Sequence, residues 1–182
     1  MIRITDLAHD LLAQEDFHDR LLVDMTAGRG NDTLFLSQLS RKVIAFDVQP
    51  EAIQDTASLL EAHHITHCQL ILDDHQNLAK YIEEPVAGAI YNLGYLPHGN
   101  KTIKTTASST IASLEILLET LADKGIVILV VYQKHHLEES EALLRFTQRL
   151  SSNTFDVIRF SVVNKALSPY IIHIRKIKKE LG

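Results

Sequence analysis

The chain has 182 residues, a net charge of −5 and 46% hydrophobic residues, which suits one α/β domain over residues 1–182 and leaves no room for a second full one. No apolar run reaches the roughly 20 residues that cross a bilayer, so membrane insertion is not expected. The acidic balance argues against general coating of nucleic acid, though not against a local RNA site, and Cys68 as sole cysteine excludes an internal disulfide and a multi-cysteine zinc site and fits a reducing cytoplasm.

In chain order, the opening MIRITDLAHDLLAQEDF mixes acids with apolar residues and has no basic n-region or continuous h-region. It is read as part of the mature fold, a helix lying near the carboxyl ends of the strands. Short apolar, β-branched runs then predict strands at 21–25, 42–47, 68–72, 86–92, 126–132, 155–162 and 170–174. Apolar residues returning every three or four positions predict helices over 33–39, 51–62, 110–121 and 138–150. Alternation of this kind implies right-handed crossovers and a mainly parallel sheet covered on both faces. The last two strands follow each other across the turn-like 164–169, so they should pair antiparallel at one edge. Six parallel strands and one reversed strand make the Rossmann-like sheet of class I methyltransferases.

Residues 24–33 read Asp24-Met-Thr26-Ala-Gly28-Arg-Gly30-Asn31-Asp32-Thr33 and join the first strand to a helix. Glycines let backbone turn tightly and approach a ligand, and a new helix offers unpaired N–H groups. Two glycines in such a turn also occur with no ligand at all, so the signal needs support. Support comes from the next strands. The second ends in Asp47, where a carboxylate can accept both ribose hydroxyls. The third ends in Asp73-Asp74, where an acid can meet an adenine amine or cap a helix. The fourth ends in Asn92. These are the carboxyl ends at which open α/β sheets bind ligands. A nicotinamide site shares the ribose acid but wants a third glycine where Thr33 stands, and Asp32 is electrostatically awkward for a pyrophosphate.

The fourth strand runs into Asn92-Leu93-Gly94-Tyr95-Leu-Pro97-His-Gly-Asn-Lys101. The stretch from Asn92 to Tyr95 resembles the Asn-Pro-Pro-Tyr motif of amino-group methyltransferases. In that motif the Asn oxygen and a following carbonyl accept the amine's hydrogens while the Tyr packs on the acceptor. Such chemistry needs orientation and deprotonation and no covalent nucleophile; an Asn capping a turn before a core Tyr is the plainer alternative. Cys68 lies at the start of a strand, far from this edge, which disfavours cytosine C5 methylation. The histidine groups 63, 64, 67 and 135, 136 lack the converging partners a metal needs, so none is expected; His135 follows the fifth strand, where it can touch substrate.

Together with Ala8-His9, DMTAGRGNDTLFL, AFDVQPEAI, NLGYLPHGNK and Val131-Tyr132, these residues resemble the YtqB/MnmM family. Its members are small bacterial proteins described as rRNA methylases and associated with methylation of the tRNA wobble uridine. The resemblance covers nearly the whole chain, and NLGYLP is its most specific part. It implies S-adenosylmethionine as cofactor, leaving as S-adenosylhomocysteine, at Asp24, Thr26, Gly28, Gly30, Asn31, Asp32, Asp47, Val48, Gln49, Asp73, Asp74, His75 and Asn92. It implies Asn92 and Tyr95 as catalytic. It further implies an acceptor in the tRNA anticodon region, the aminomethyl nitrogen of 5-aminomethyl-2-thiouridine, met by His9, Leu93, Gly94, Pro97, Lys101, Tyr132, His135 and Asn164, and a homodimer. Residues 98–100, 133–136 and 164–169 depart from the family's usual Gly-Gly-Asp, Pro-Gly-His-Pro-Gly and Asn-x-x-Asn-x-Pro-Pro patterns, all on the presumed substrate rim. Methylation of rRNA or of a small molecule, and a non-catalytic binding module, are the competing readings.

Overall fold

The structure is a computed structural model that describes residues 3–93, 107–135 and 137–178. Its elements are α1 (Ile4–Ala13), β1 (Leu21–Asp24), α2 (Asn31–Leu39), β2 (Lys42–Asp47), α3 (Pro50–Ala62), β3 (Cys68–Leu72), a 3₁₀ turn (His75–Lys80), β4 (Val86–Leu93), α4 (Ala107–Thr120), β5 (Leu121–Val131), a second 3₁₀ turn (Gln133–His135), α5 (Leu137–Gln148), β6 (Phe155–Ser161) and β7 (Tyr170–Lys176). The seven strands form one sheet in the order β3-β2-β1-β4-β5-β7-β6. The first five are parallel. The reversed strand, β7, is antiparallel to both β5 and β6, so six strands point one way and one the other, as the class I methyltransferase pattern predicts.

The apolar runs form strands because the sheet is buried on both faces. Period-two alternation sorts the side chains: Leu21, Val23 and Met25 join Leu114, Leu117 and Leu143 of α4 and α5, while Leu22 joins Leu12 of α1 and Leu36 of α2 on the opposite face. In β5, Ile126, Ile128 and Val130 face α1 and Val127, Leu129 and Val131 face α4 and α5. The two edge strands are the more open ones: β6 is largely exposed, and β3 buries only Ile71.

Two elements differ from expectation. The N-terminal helix does not sit only at the carboxyl ends. Ala8 and Leu12, one turn apart and fully buried, bed it lengthwise on the β5 face. His9 thereby reaches the carboxyl edge at Asp32, while Glu15 pairs with Arg175 near the amino end of β5. The fifth strand begins at Leu121, five residues early. Leu121 pairs with Val86 and Ile126 with Gly88, and the surplus residues form a bulge with Lys124 at φ 63°. A polar LADKG reads as a turn in sequence, yet a bulge keeps it in the ladder.

If α1 is core rather than appendage, truncating its deepest side chain carries the ordinary cost of a large-to-small core change. Leu12→Ala should lower unfolding free energy by about 2–5 kcal/mol in urea denaturation. A loss below about 1 kcal/mol would show that α1 is not part of the core.

Candidate active site

The turn after β1 is organised from beneath by Asp24, whose side chain is fully buried. One carboxylate oxygen accepts the Thr26 N–H at 3.0 Å and the other the Thr33 hydroxyl at 2.7 Å, so a single buried group ties both ends of the loop. Burial, reinforced by the negative charges of Asp32 and Asp47, pushes its pKa up to about 7. Asp24 therefore shapes the turn and offers no surface to a ligand. Gly28 and Gly30 are left-handed at φ 56° and 82°, and a Cβ on Gly30 would lie 2.9 Å from the Thr56 Cα of α3. Backbone geometry thus calls for glycine at both positions, and close approach does so at Gly30 as well. Asn31 is exposed on the first turn of α2.

Asp47, half-buried at the end of β2, accepts the Gly28 N–H at 2.9 Å on one oxygen and the Gln49 N–H at 3.0 Å on the other. Each oxygen keeps a lone pair for one hydroxyl of a vicinal diol. Val48 beside it is exposed, and Gln49 precedes the first turn of α3. After β3 the two acids divide their work. Asp73 accepts the Asp74 N–H at 2.7 Å, the Asn77 amide at 2.8 Å and the Tyr81 hydroxyl at 2.7 Å, and these donors hold its pKa below the ordinary value. Asp74 caps the 3₁₀ turn through the Gln76 N–H at 2.9 Å. His75 turns inward: its ring is buried, lies edge-on to Tyr91, and its Nδ1 donates to the Met25 carbonyl at 3.1 Å. Burial lowers its pKa. The His75 ring therefore braces the turn from within and does not open onto the strand-end cleft.

At the end of β4 the half-buried Asn92 faces Asp32. Its N–H donates to the Thr26 hydroxyl at 2.8 Å and its Nδ2 to Asp32 Oδ2 at 3.1 Å. The other Asp32 oxygen bonds His9 Nε2 at 2.6 Å, and the His9 ring stacks flat on Phe35 with centroids 3.9 Å apart. Tyr132 lies close by, its pKa raised by burial and then by the Asp32 charge. Residues from α1, α2, β4 and the end of β5 thus meet at one point. Leu93 is half-buried at the end of β4. Asn164 is exposed in the β6–β7 connection, with β5 and β7 between its strand and β4, and is not brought to Asn92. Gly94, Tyr95, Pro97 and Lys101 lie outside the described residues, as does the His135 side chain. Cys68 sits at the opposite end of its strand, its thiol pushed up to about 11 by burial and the Asp24 charge.

Thr33, Asn77 and Tyr81, which hold the acids in place, were not legible as site residues; only their four- to nine-residue spacing from those acids hints at them. Phe35 carried one usable signal, standing three positions after Asp32 on the same helix face. Among the described residues no three His, Cys, Asp or Glu side chains are grouped to hold a metal ion, and no helix is long and apolar enough to cross a membrane.

The strand order reverses between β1 and β4, the place where an open sheet leaves a crevice. Asp32 and Asp47 flank it. Two acids there repel a pyrophosphate and attract a cation such as a sulfonium.

The profile of the family described as "Putative rRNA methylase" matches residues 43–176. The chain belongs to this family. It is 30% identical over 190 residues to the "tRNA (mnm(5)s(2)U34)-methyltransferase, chloroplastic" of Arabidopsis thaliana, covering 96% of this chain and 69% of that one. A "putative methyltransferase" from Streptococcus mutans in complex with SAH is 38% identical with a TM-score of 0.91, over 97% of this chain and 99% of the other. A "putative rRNA-methylase" from Clostridium thermocellum is 35% identical with a TM-score of 0.92 over the same shares. The sheet is thus that of the class I methyltransferases, and members of this family are S-adenosylmethionine-dependent enzymes.

The buried Asp24 sets a pH signature. Its folded pKa of about 7 lies above the 3.8 of an ordinary Asp, so between these values the native state holds a proton that the unfolded chain releases. Stability then falls as pH climbs from about 4 to 7. Asp24→Asn, whose Oδ1 can still accept the Thr26 N–H and whose Nδ2 can donate to the Thr33 hydroxyl oxygen, removes this fall. Between pH 4 and 8 the melting temperature of the wild type should drop relative to the variant by at least about 3 °C, the shift of a 1 kcal/mol change in a chain this size. Parallel curves for the two proteins would refute the assignment.

Proposed function

We infer that this S-adenosylmethionine-dependent methyltransferase acts on tRNA, methylating the aminomethyl nitrogen of 5-aminomethyl-2-thiouridine at the wobble position. The observation that carries this reading is Asn92. Its Nδ2 is committed to Asp32, which fixes the amide orientation and leaves Oδ1 as an acceptor at the carboxyl edge. An acceptor oxygen suits an N–H-bearing substrate and aims the nitrogen lone pair by its hydrogen bonds.

Once bound, the cofactor supplies an electrophilic methyl group on a sulfonium. The chain's own part is positional. Asp47 accepts from the ribose, and the loop around Asp73 and Asp74 borders the adenine end. Asp24 and the two glycines hold the backbone that separates them. Asn92 orients the amine. No residue needs to form a covalent bond, and no described thiol is placed for it.

For the nucleic acid, Arg29, Lys134 and Lys165 are exposed on connections at the carboxyl edge, giving phosphates local positive charge on a chain of net charge −5. The activity for which the Arabidopsis relative is named supports tRNA, and the family's description keeps rRNA as the second acceptor to be tested. We further read residues 1–182 as one functional unit that acts in the cytoplasm as a homodimer. The exposed Val157 and Ile158 on the edge strand β6 suit a covering partner copy.

With labelled cofactor, methyl should enter tRNA carrying 5-aminomethyl-2-thiouridine and appear in that nucleoside by mass spectrometry. Label confined to rRNA, or none in this nucleoside, would overturn the tRNA reading. Asn92→Ala should lower kcat by about 10²-fold, the scale of a misplaced acceptor, while S-adenosylhomocysteine affinity by calorimetry stays within about threefold.

A further inference from the structure

Asp32 stands between two side chains that sequence places 23 and 60 residues away. It bonds His9 Nε2 at 2.6 Å through one oxygen and Asn92 Nδ2 at 3.1 Å through the other. A carboxylate only accepts, so Nε2 carries the hydrogen, and in the neutral ring Nδ1 holds a lone pair. No described residue bonds to Nδ1. The stack on Phe35, with an interplanar angle of 0°, fixes the plane of the ring. The His9 side chain remains 24% exposed against 8% for Asp32. One carboxylate therefore sets an imidazole with a free basic nitrogen beside the amide that meets the acceptor.

The other described groups near this point are not placed to take a proton from a substrate. Asp24 is fully buried with both oxygens bonded. His75 is buried against Met25 and Tyr91. Tyr132 is held in its protonated form by burial and by Asp32. Asp32 itself is engaged through both oxygens.

We propose that His9 is the base that deprotonates the substrate amine, with Asp32 as the positioning residue that holds the imidazole and the Asn92 amide in one arrangement. The inference rests on the amine-methylation reading above. An N–H bond of the substrate ammonium breaks and its proton goes to Nδ1, giving an imidazolium balanced by the Asp32 carboxylate. The freed nitrogen lone pair forms the N–C bond to the methyl group as the C–S bond breaks, its electron pair leaving on sulfur. The product is a secondary ammonium, and the imidazolium returns its proton to water. The pairing of an imidazolium with a buried carboxylate lowers the barrier in the way a base oriented by a third group does.

His9→Gln tests this, because the Gln amide keeps a donor for Asp32 and so keeps Asn92 in place while removing the basic nitrogen. With amine-bearing tRNA at pH 7, kcat should fall about 10²-fold, the lower end for a general base, with KM and S-adenosylhomocysteine affinity within about twofold. The deficit should shrink as pH rises and the ammonium loses its proton to solvent unaided. Independently of activity, ¹⁵N-histidine NMR of the unliganded chain at pH 8 should show His9 as the Nε2–H tautomer, and Asp32→Asn should abolish that preference. A variant that follows the wild-type rate and pH profile, or a wild-type His9 in the Nδ1–H form, overturns the proposal alone. A wild-type chain that methylates no amine overturns the reading on which it rests.

Discussion

The strand-end cleft is built over one desolvated carboxyl group. Asp24 lies at 0% exposure where β1 gives way to the glycine turn, and its hydrogen bonds to Thr26 and Thr33 close the loop from below. A group buried this deeply is unfavourable in its charged form, and its raised pKa records the cost. What it secures is the path of residues 25–33. Because Thr26 in turn accepts the Asn92 N–H, and Gly28 donates to Asp47, the same loop sets the distance between the Asp47 carboxylate and the Asn92 amide. Neither of those residues would keep its relation to the other if the loop were free.

The two halves of the cleft are held by different means. At the ends of β2 and β3, backbone N–H groups fix Asp47, and donors from the turn that follows β3 fix Asp73 and Asp74. At the end of β4 the contacts run between side chains of distant elements: α1, α2 and β4 meet through Asp32. A turn can be rebuilt from local sequence, whereas the contact of His9 with Asp32 exists only once α1 has docked on β5. The burial of Ala8 and Leu12 therefore has a chemical as well as a structural consequence.

This division explains what could be read before folding. The seven strands were legible because each is an apolar run bounded by polar residues, and IVILVV at 126–131 shows burial on both faces directly. Asp47 was legible because it ends a strand, and the capping role open to Asp74 was legible from its position before a turn. The start of β5 was hidden, since Asp123, Lys124 and Gly125 resemble a loop while pairing as a bulge. Asp73 looked like an open carboxylate because nothing in its neighbours announces that Asn77 and Tyr81 fold back onto it. The link from His9 to Asp32 spans 23 residues between two helices, and no periodicity couples them. Burial leaves a pattern in sequence; a polar contact between separate elements does not.

The order of the outer strands bears on how the chain assembles. β5, the most continuously apolar strand, has its outer edge covered by β7, while β6, made earlier, lies beyond β7. During synthesis the backbone groups of Ile126 to Val131 therefore await a strand that emerges some 40 residues later, after α5 and β6 have already left the ribosome. Until residues 170–176 arrive, that open apolar flank is the nascent chain's chief hazard for wrong pairing, and the final insertion locks two neighbours at once.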